Sequence, residues 1–360
     1  MTAITTPTPL RLTATTGGIP ASVRAFAAEA EALGFDRLTL AEAAHDPFLQ
    51  LVRAGDATTS IELATGVAIA FARTPMTLAY EAWGLHEASG GRAVVGLGSQ
   101  VRAHITRRYG MPWDRPAARM REFVQAVRAI WDCWQTDGKL SFEGEFYQHT
   151  LMTPNFAPPS LPFGPPPILL AGVGPLMAKA AGAVGDGFMS HPFATVEYLS
   201  DHILPTVRAA RAAAEAEGDA APWTSRPFEV VGSVLTALGR TEPELADATA
   251  KIRKRIAFYG STPAYRGVLD LHGWGGLHEE LHRLSRLGEW DTMAALVDDD
   301  VFAALAVAGT PAEVGRELRR RFAGVVDRLA LSTEGASLEV LAEVMDAAGA
   351  APTSGGESAV

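Results

Sequence analysis

The chain of 360 residues has one cysteine, and only four of its 31 basic residues are lysines. The lone Cys133 cannot form an internal disulfide, which suits a reducing, cytoplasmic setting. It lies in the helical pattern Ala129-Ile130-Trp131-Asp132-Cys133-Trp134, where a small buried hydrophobe is the expected role. No apolar run reaches the length of a membrane span. Met1 to Pro9 lacks the basic start and apolar core of a signal peptide. A net charge of −10 leaves no cationic excess for nucleic acid or an anionic membrane, so neither is an expected partner. What the chain does have is a 48% apolar fraction, ample for one large α/β barrel or two ordinary domains.

Short apolar runs alternate with helical patterns about every thirty residues, the rhythm of a parallel sheet closed by helices. Eight strands are predicted: Leu10 to Ala14, Phe35 to Leu40, Ile61 to Ala70, Ala93 to Leu97, Ile168 to Ala171, Gly185 to Ser190, Phe228 to Ala237 and Val326 to Ser332. Between them lie predicted helices, among them Val23 to Leu33, Pro75 to Ser89, Arg115 to Trp134 and Val196 to Glu217. Thr241, with Pro243 and Glu244 in the first turn, and Thr310, with Pro311 and Glu313, each open a helix. Gly17-Gly18 should turn the chain, and Leu140 to Tyr147 reads as an inserted hairpin. The expected fold is a TIM-like (β/α)8 barrel with inserted segments. Residues 1–9 are expected to form a flexible N-terminus and 10–335 a single barrel domain, with insertions at about 136–166 and 260–300. Residues 336–360 are expected to form a C-terminal helix and a disordered tail.

The strand ends carry the candidate site. Gly66-Val67 and Gly96-Leu97-Gly98-Ser99 close two apolar strands in small residues. Either they let a flat ring approach bare backbone, or they let the barrel interior taper. Gly172-Val173-Gly174-Pro175 joins a strand to a helix, and free amides at a helix N-terminus bind phosphate. It is not G-x-G-x-x-G, and no acidic residue follows at the spacing of a dinucleotide fold. Glu42, His45 and Asp46 follow the second strand, where ionisable residues of a barrel usually do chemistry, although Asp46 ahead of Pro47 also suits a helix cap. His104 sits among Arg102, Arg107 and Arg108, a cation cluster able to hold an anionic tail. His278 and His282 have i, i+4 spacing, but Glu279 and Glu280 do not complete a zinc motif, and no metal is expected.

These segments resemble the luciferase-like monooxygenase superfamily, in its deazaflavin (coenzyme F-420)-dependent oxidoreductase branch. The resemblance rests on Ala30 to Asp36, Ala64 to Val67, Ser89 to Arg92 with Val95 to Gly98, and Ala171 to Pro175 with Ala183 to Gly187. Gly98 to Ile105 with Tyr109 to Trp113 looks like one deazaflavin-linked subgroup. The resemblance implies hydride transfer to or from a small-molecule substrate, with the cofactor ring at the C-terminal mouth. There it would rest on a bulge at Gly66, Val67 and Ala68 that contains a non-prolyl cis peptide. Gly98, Ser99 and Gln100 would lie beside the ring. Ala171, Gly172, Val173, Gly174 and Met177 would hold the phosphate. Glu42, His45 and His104 are the candidates for moving a proton. Ala43 stands where sugar-phosphate-oxidising relatives carry a catalytic histidine, and Gln100 and Val101 stand near their catalytic glutamate, so that activity is not carried over. The alternatives are an FMN-dependent monooxygenase of the same fold, a non-catalytic flavin-binding homologue, and a barrel lyase or hydrolase acting on a phosphorylated substrate. A homodimer is expected from the relatives.

Overall fold

A computed structural model describes residues 10–16, 22–217 and 226–349. Eight parallel strands close into a barrel: β1 (Arg11–Thr16), β2 (Arg37–Leu40), β3 (Glu62–Thr65), β4 (Ala93–Gly98), β5 (Ile168–Gly172), β6 (Gly187–Ser190), β7 (Glu229–Leu238) and β8 (Arg328–Ser332). Each pairs with the next, and β8 returns to β1 through Arg11 opposite Arg328. The predicted strands therefore all exist, with ends displaced by a few residues. Helices on the outside bury one face of each strand and the lumen buries the other. Hence β4 is buried at all six positions and reads as an unbroken apolar run. Ala64, Val94, Leu169, Met189 and Val231 fill the lumen, with Val67 and Ala171 packed on them toward the mouth.

Three features differ from the sequence reading. The strand expected over Ile61 to Ala70 breaks after Thr65 and resumes only at Ala68–Ile69, because Gly66 N–H donates to Leu40 O and Glu42 N–H to Val67 O. The hairpin pairs Phe142–Glu143 with Gln148–His149, so its return strand lies beyond Tyr147. The Glu122 carboxylate organises its turn by accepting the N–H groups of Glu145, Phe146 and Tyr147. The insertion expected at 260–300 is a run of helices, Arg266–Leu271, Gly275–Leu287, Trp290–Ala295 and Asp299–Leu305, followed by an unforeseen strand, Ala306–Gly309. That strand pairs with the last four residues of β7.

Both foreseen capping boxes are present, at Thr241 for the Glu242–Gly260 helix and at Thr310 for the Pro311–Phe322 helix. The Leu338–Ala347 helix packs against the latter at Gly315, where a Cβ would come within 2.5 Å of Val344 O. The expectations for residues 1–9, the Gly17-Gly18 turn and the tail beyond residue 349 lie outside the described residues. No described helix is long and apolar enough to cross a membrane.

The N-terminal end of the barrel is closed by paired charge. The side chains of Arg328 and Arg37 are 1% and 5% exposed. Arg37 donates to Glu62 at 2.6 Å and to Glu229 at 2.8 Å, while Arg328 donates to Glu229 at 3.1 Å and to both oxygens of Asp36. Burial alone would raise the Glu62 carboxyl, but Arg37 and Arg226 outweigh it and hold the group at about 2.

Candidate active site at the barrel mouth

The C-terminal ends of the strands form the opposite face. The Gly66–Val67 peptide is cis. Glu42 sits across from it and is 9% exposed at its side chain. Its Oε2 accepts from Ile69 N–H at 2.8 Å and from Arg73 Nη1 at 2.6 Å, and its Oε1 accepts from the Tyr109 hydroxyl at 3.3 Å. Arg73 also donates to Asp46 and Glu81. Burial pulls the Arg73 guanidinium down, yet Glu42, Glu81 and Asp46 together hold it above its ordinary value. Burial raises the Glu81 carboxyl, against the pull of Arg73. Glu42 is thus a fixed brace for the segment after the bulge. Asp46 serves both readings made for it: it caps the Pro47–Gly55 helix through Leu49 N–H and joins the charge cluster.

His45 and His104 are exposed, and neither side chain bonds to a described residue. Tyr109 ties the segment after β4 to Glu42; His104 lies on the Arg102–Arg107 helix of that segment, and His45 follows Glu42 in the chain. Arg73 and Tyr109 were not singled out from sequence. Their partners come from distant segments, and no local spacing announces them.

The small residues divide into two groups. A Cβ on Gly66 would come within 2.1 Å of Thr39 Cγ2, and one on Gly96 within 2.0 Å of the Thr65 carbonyl oxygen and 2.8 Å of Met189 Sδ. A Cβ on Gly98 would meet Val67 Cγ2 at 2.7 Å. At Gly66 and Gly98 a neighbouring side chain lies where a Cβ would go, and at Gly96 the Thr65 carbonyl lies there. Ala68 is fully buried and paired to Leu97. Gln100 takes a left-handed φ of 60° and its side chain accepts from Val101 N–H at 3.0 Å, while Ser99 Oγ donates to Gln100 O at 3.1 Å. Gly172 makes room for Met177, whose Cβ would lie 2.9 Å from an added Cβ.

Gly174 is different. An added Cβ there would meet nothing within 4 Å, so packing does not demand glycine. It is the N-cap of the Pro175–Val184 helix, with no side-chain cap and no acid in the first turn. Ala171, Gly172, Val173, Gly174 and Met177 are all partly exposed around this turn. The first-turn N–H groups have no side-chain acceptor, and they carry the positive end of the helix dipole. A phosphate or other anion suits that position.

His278, His282 and His272 are structural ties. His278 and His282 each place Nδ1 on a carbonyl, Gly260 O at 2.7 Å and Ser261 O at 2.9 Å, at the end of the Glu242–Gly260 helix. His272 bonds Thr195 Oγ1 at 2.8 Å and stacks on Trp274 at 4.7 Å. These contacts hold the inserted helices to the barrel.

A barrel with this mouth is shared by many chemistries, so the fold alone does not name a family. The family profile described as luciferase-like monooxygenase matches residues 1–328. The chain belongs to that family. Among its luciferase-like relatives, an uncharacterized protein of Mycobacterium tuberculosis is 48% identical over 316 residues, covering 87% of this chain and 91% of the relative. The 5,10-methylenetetrahydromethanopterin reductase of Archaeoglobus fulgidus is 29% identical over 266 residues, covering 71% and 72% of the two chains. The structure of the coenzyme F-420-dependent tetrahydromethanopterin reductase of Methanopyrus kandleri superposes with a TM-score of 0.74 at 20% identity, covering 94% of this chain and 97% of the other. That superposition shows the same barrel fold.

Proposed function

We propose that this chain is a coenzyme F-420-dependent oxidoreductase that moves a hydride to or from a small organic substrate. The observation that carries the reading is the Gly174 turn: an uncapped helix N-terminus, open where a side chain would fit, beside an apolar mouth floored by Val67, Ala171 and Met189. Relatives whose names carry reductase and coenzyme F-420 activities support the choice of cofactor.

The residues present fit such a group. Ala171, Gly172, Val173, Gly174 and Met177 would hold its phosphate. Val67 would back its ring, and Ser99 and Gln100 would edge it. The coenzyme, when bound, supplies a two-electron hydride carrier of low oxygen reactivity, and the protein supplies position and a dry pocket. Glu42, committed to Arg73 and Ile69 N–H, braces the bulge behind Val67. His45 and His104, exposed and without side-chain partners, are the groups able to trade a proton with solvent. Exposed Leu49 and Val52, on one face of the Pro47–Gly55 helix, support a homodimer, which light scattering would read as twice the chain mass.

Anaerobic absorbance titration with coenzyme F-420 and with FMN tests the assignment. Micromolar or tighter binding of the deazaflavin, with FMN weaker, is expected. Tight FMN binding with oxygen uptake on reduced nicotinamide would replace this reading with a flavin monooxygenase. A phosphate ester that binds with no cofactor at all would point to a lyase or hydrolase.

A further inference from the structure

The end of β6 is a part of the mouth that the proposed mechanism leaves unused. Ser190 pairs with Gly172 of β5, so the next residue, His191, stands beside the Val173 turn. Its ring is packed by two tyrosines from the far end of the chain. Tyr259 meets it edge-on, with centroids 4.7 Å apart at 82°, and Tyr265 lies 4.5 Å away at 33°. Phe193, fully buried, lies 6.2 Å from Tyr259 and 6.1 Å from Tyr265, behind them.

The imidazole has a defined protonation pattern. The N–H of Phe193 donates to its Nδ1 at 3.0 Å, so the ring hydrogen sits on Nε2. Burial holds the ring's pKa down at about 4, and no charged group contributes. It is neutral throughout the physiological range. Nε2 has no partner among the described residues. Arg255, a cation that acts on Tyr259, is already bonded to Ser332 Oγ at 2.8 Å and paired with Glu334.

This arrangement discriminates by charge. An anion seated here would lose its water and find no counter-ion. A cation would face the positive end of an N–H bond. A flat, neutral molecule with an acceptor oxygen would gain a hydrogen bond and ring contacts on two sides.

We infer that His191, Tyr259 and Tyr265 form a substrate subsite for a neutral planar carbonyl compound, such as a cyclic enone or aryl ketone, whose oxygen accepts the hydrogen bond of His191 Nε2–H. His191 is here a binding and orienting group that keeps its proton. The inference rests on the oxidoreductase reading and narrows it to uncharged substrates.

The test is saturation-transfer NMR on the full chain, with and without coenzyme F-420, using 2-cyclohexen-1-one and glucose 6-phosphate as probes. The enone should bind and the sugar phosphate should not. His191→Phe keeps the aromatic wall and removes the donor, and should weaken the enone by about fivefold, the worth of one neutral hydrogen bond. Tyr265→Ala should weaken it further, and Tyr265→Phe should leave it unchanged. Thermal melts of each variant report folding separately. Nitrogen NMR of the imidazole should show the neutral Nε2–H form at pH 6 and a shift of Nε2 when the enone is added. No enone binding in either state, unchanged binding in His191→Phe and Tyr265→Ala, or competition by glucose 6-phosphate overturns the subsite. The signal is read on the probe, so a protein that binds the coenzyme and rejects the enone sinks only this inference.

Discussion

The two ends of the barrel treat their polar groups oppositely. At the base, Arg37 and Arg328 are enclosed by Asp36, Glu62 and Glu229, and the guanidinium groups are almost out of solvent. At the mouth, the Gly174 helix end has no side-chain cap, and His191 Nε2, His45 and His104 have no partner among the described residues. The Glu42–Arg73 cluster at the mouth is paired like the base, and it braces the segment after the bulge. An end whose polar groups are satisfied by protein holds the fold together. An end whose polar groups are left over has room for another molecule.

Substitutions can break this contrast. The largest loss of stability is expected from Arg328→Ala, which strands Asp36 and Glu229 without their partner and should cost about 3–5 kcal/mol in urea unfolding. Cofactor affinity of the folded fraction should not change. Acid should attack the same end. Glu62 titrates at about 2 in the folded protein, below its ordinary value of 4.5. Its contribution is therefore complete above the ordinary value and is lost as pH falls through about 2. Unfolding curves across that window should show the loss, and Glu62→Gln should flatten it.

Next comes Glu42→Gln, which keeps a hydrogen bond to Ile69 N–H but discharges the partner of Arg73. A loss of about 1.5–3 kcal/mol in thermal stability is expected, the worth of a charge-assisted hydrogen bond. Cofactor affinity should fall with it as the support behind Val67 loosens. Gly174→Asp separates the two ends most cleanly. A carboxylate there supplies the missing cap, so stability should stay within about 1 kcal/mol of the parent or rise. The same carboxylate occupies the anion position, and cofactor binding should weaken by about tenfold or more. The smallest effect belongs to a helix already capped. Thr310→Ala should cost about 1 kcal/mol in a thermal melt and leave the mouth untouched.

The eight strands could be read from sequence because a strand buried on both faces shows as a short unbroken apolar run, as in Ala93 to Leu97. Thr241 and Thr310 were legible because a capping box is local, four residues long. Ala306–Gly309 was missed because four small apolar residues after a helix carry no period. Their pairing with β7 is a tertiary fact. The apolar pattern over Ile61 to Ala70 does not show the break at Gly66, which only the family resemblance implied, for a similar reason: Leu40 and Glu42, from another strand, redirect its backbone. At the mouth, the Gly172 to Gly174 turn could be found from residue type, but not which of the glycines stands open. His191 gave only a His-Pro pair in sequence, since Tyr259 and Tyr265 reach it through the closure of the barrel.

The insertion of the Val67 side chain into the space beside Gly98 has a consequence for variation. The two positions behave as one unit. A methyl group added at 98 can be accommodated only if 67 shrinks, and a larger residue at 67 has nowhere to go while its neighbours stay put. A randomised library at the rim should therefore recover acceptable pairs at 67 and 98 jointly and reject most single exchanges, so that retuning this pocket proceeds by coordinated double steps.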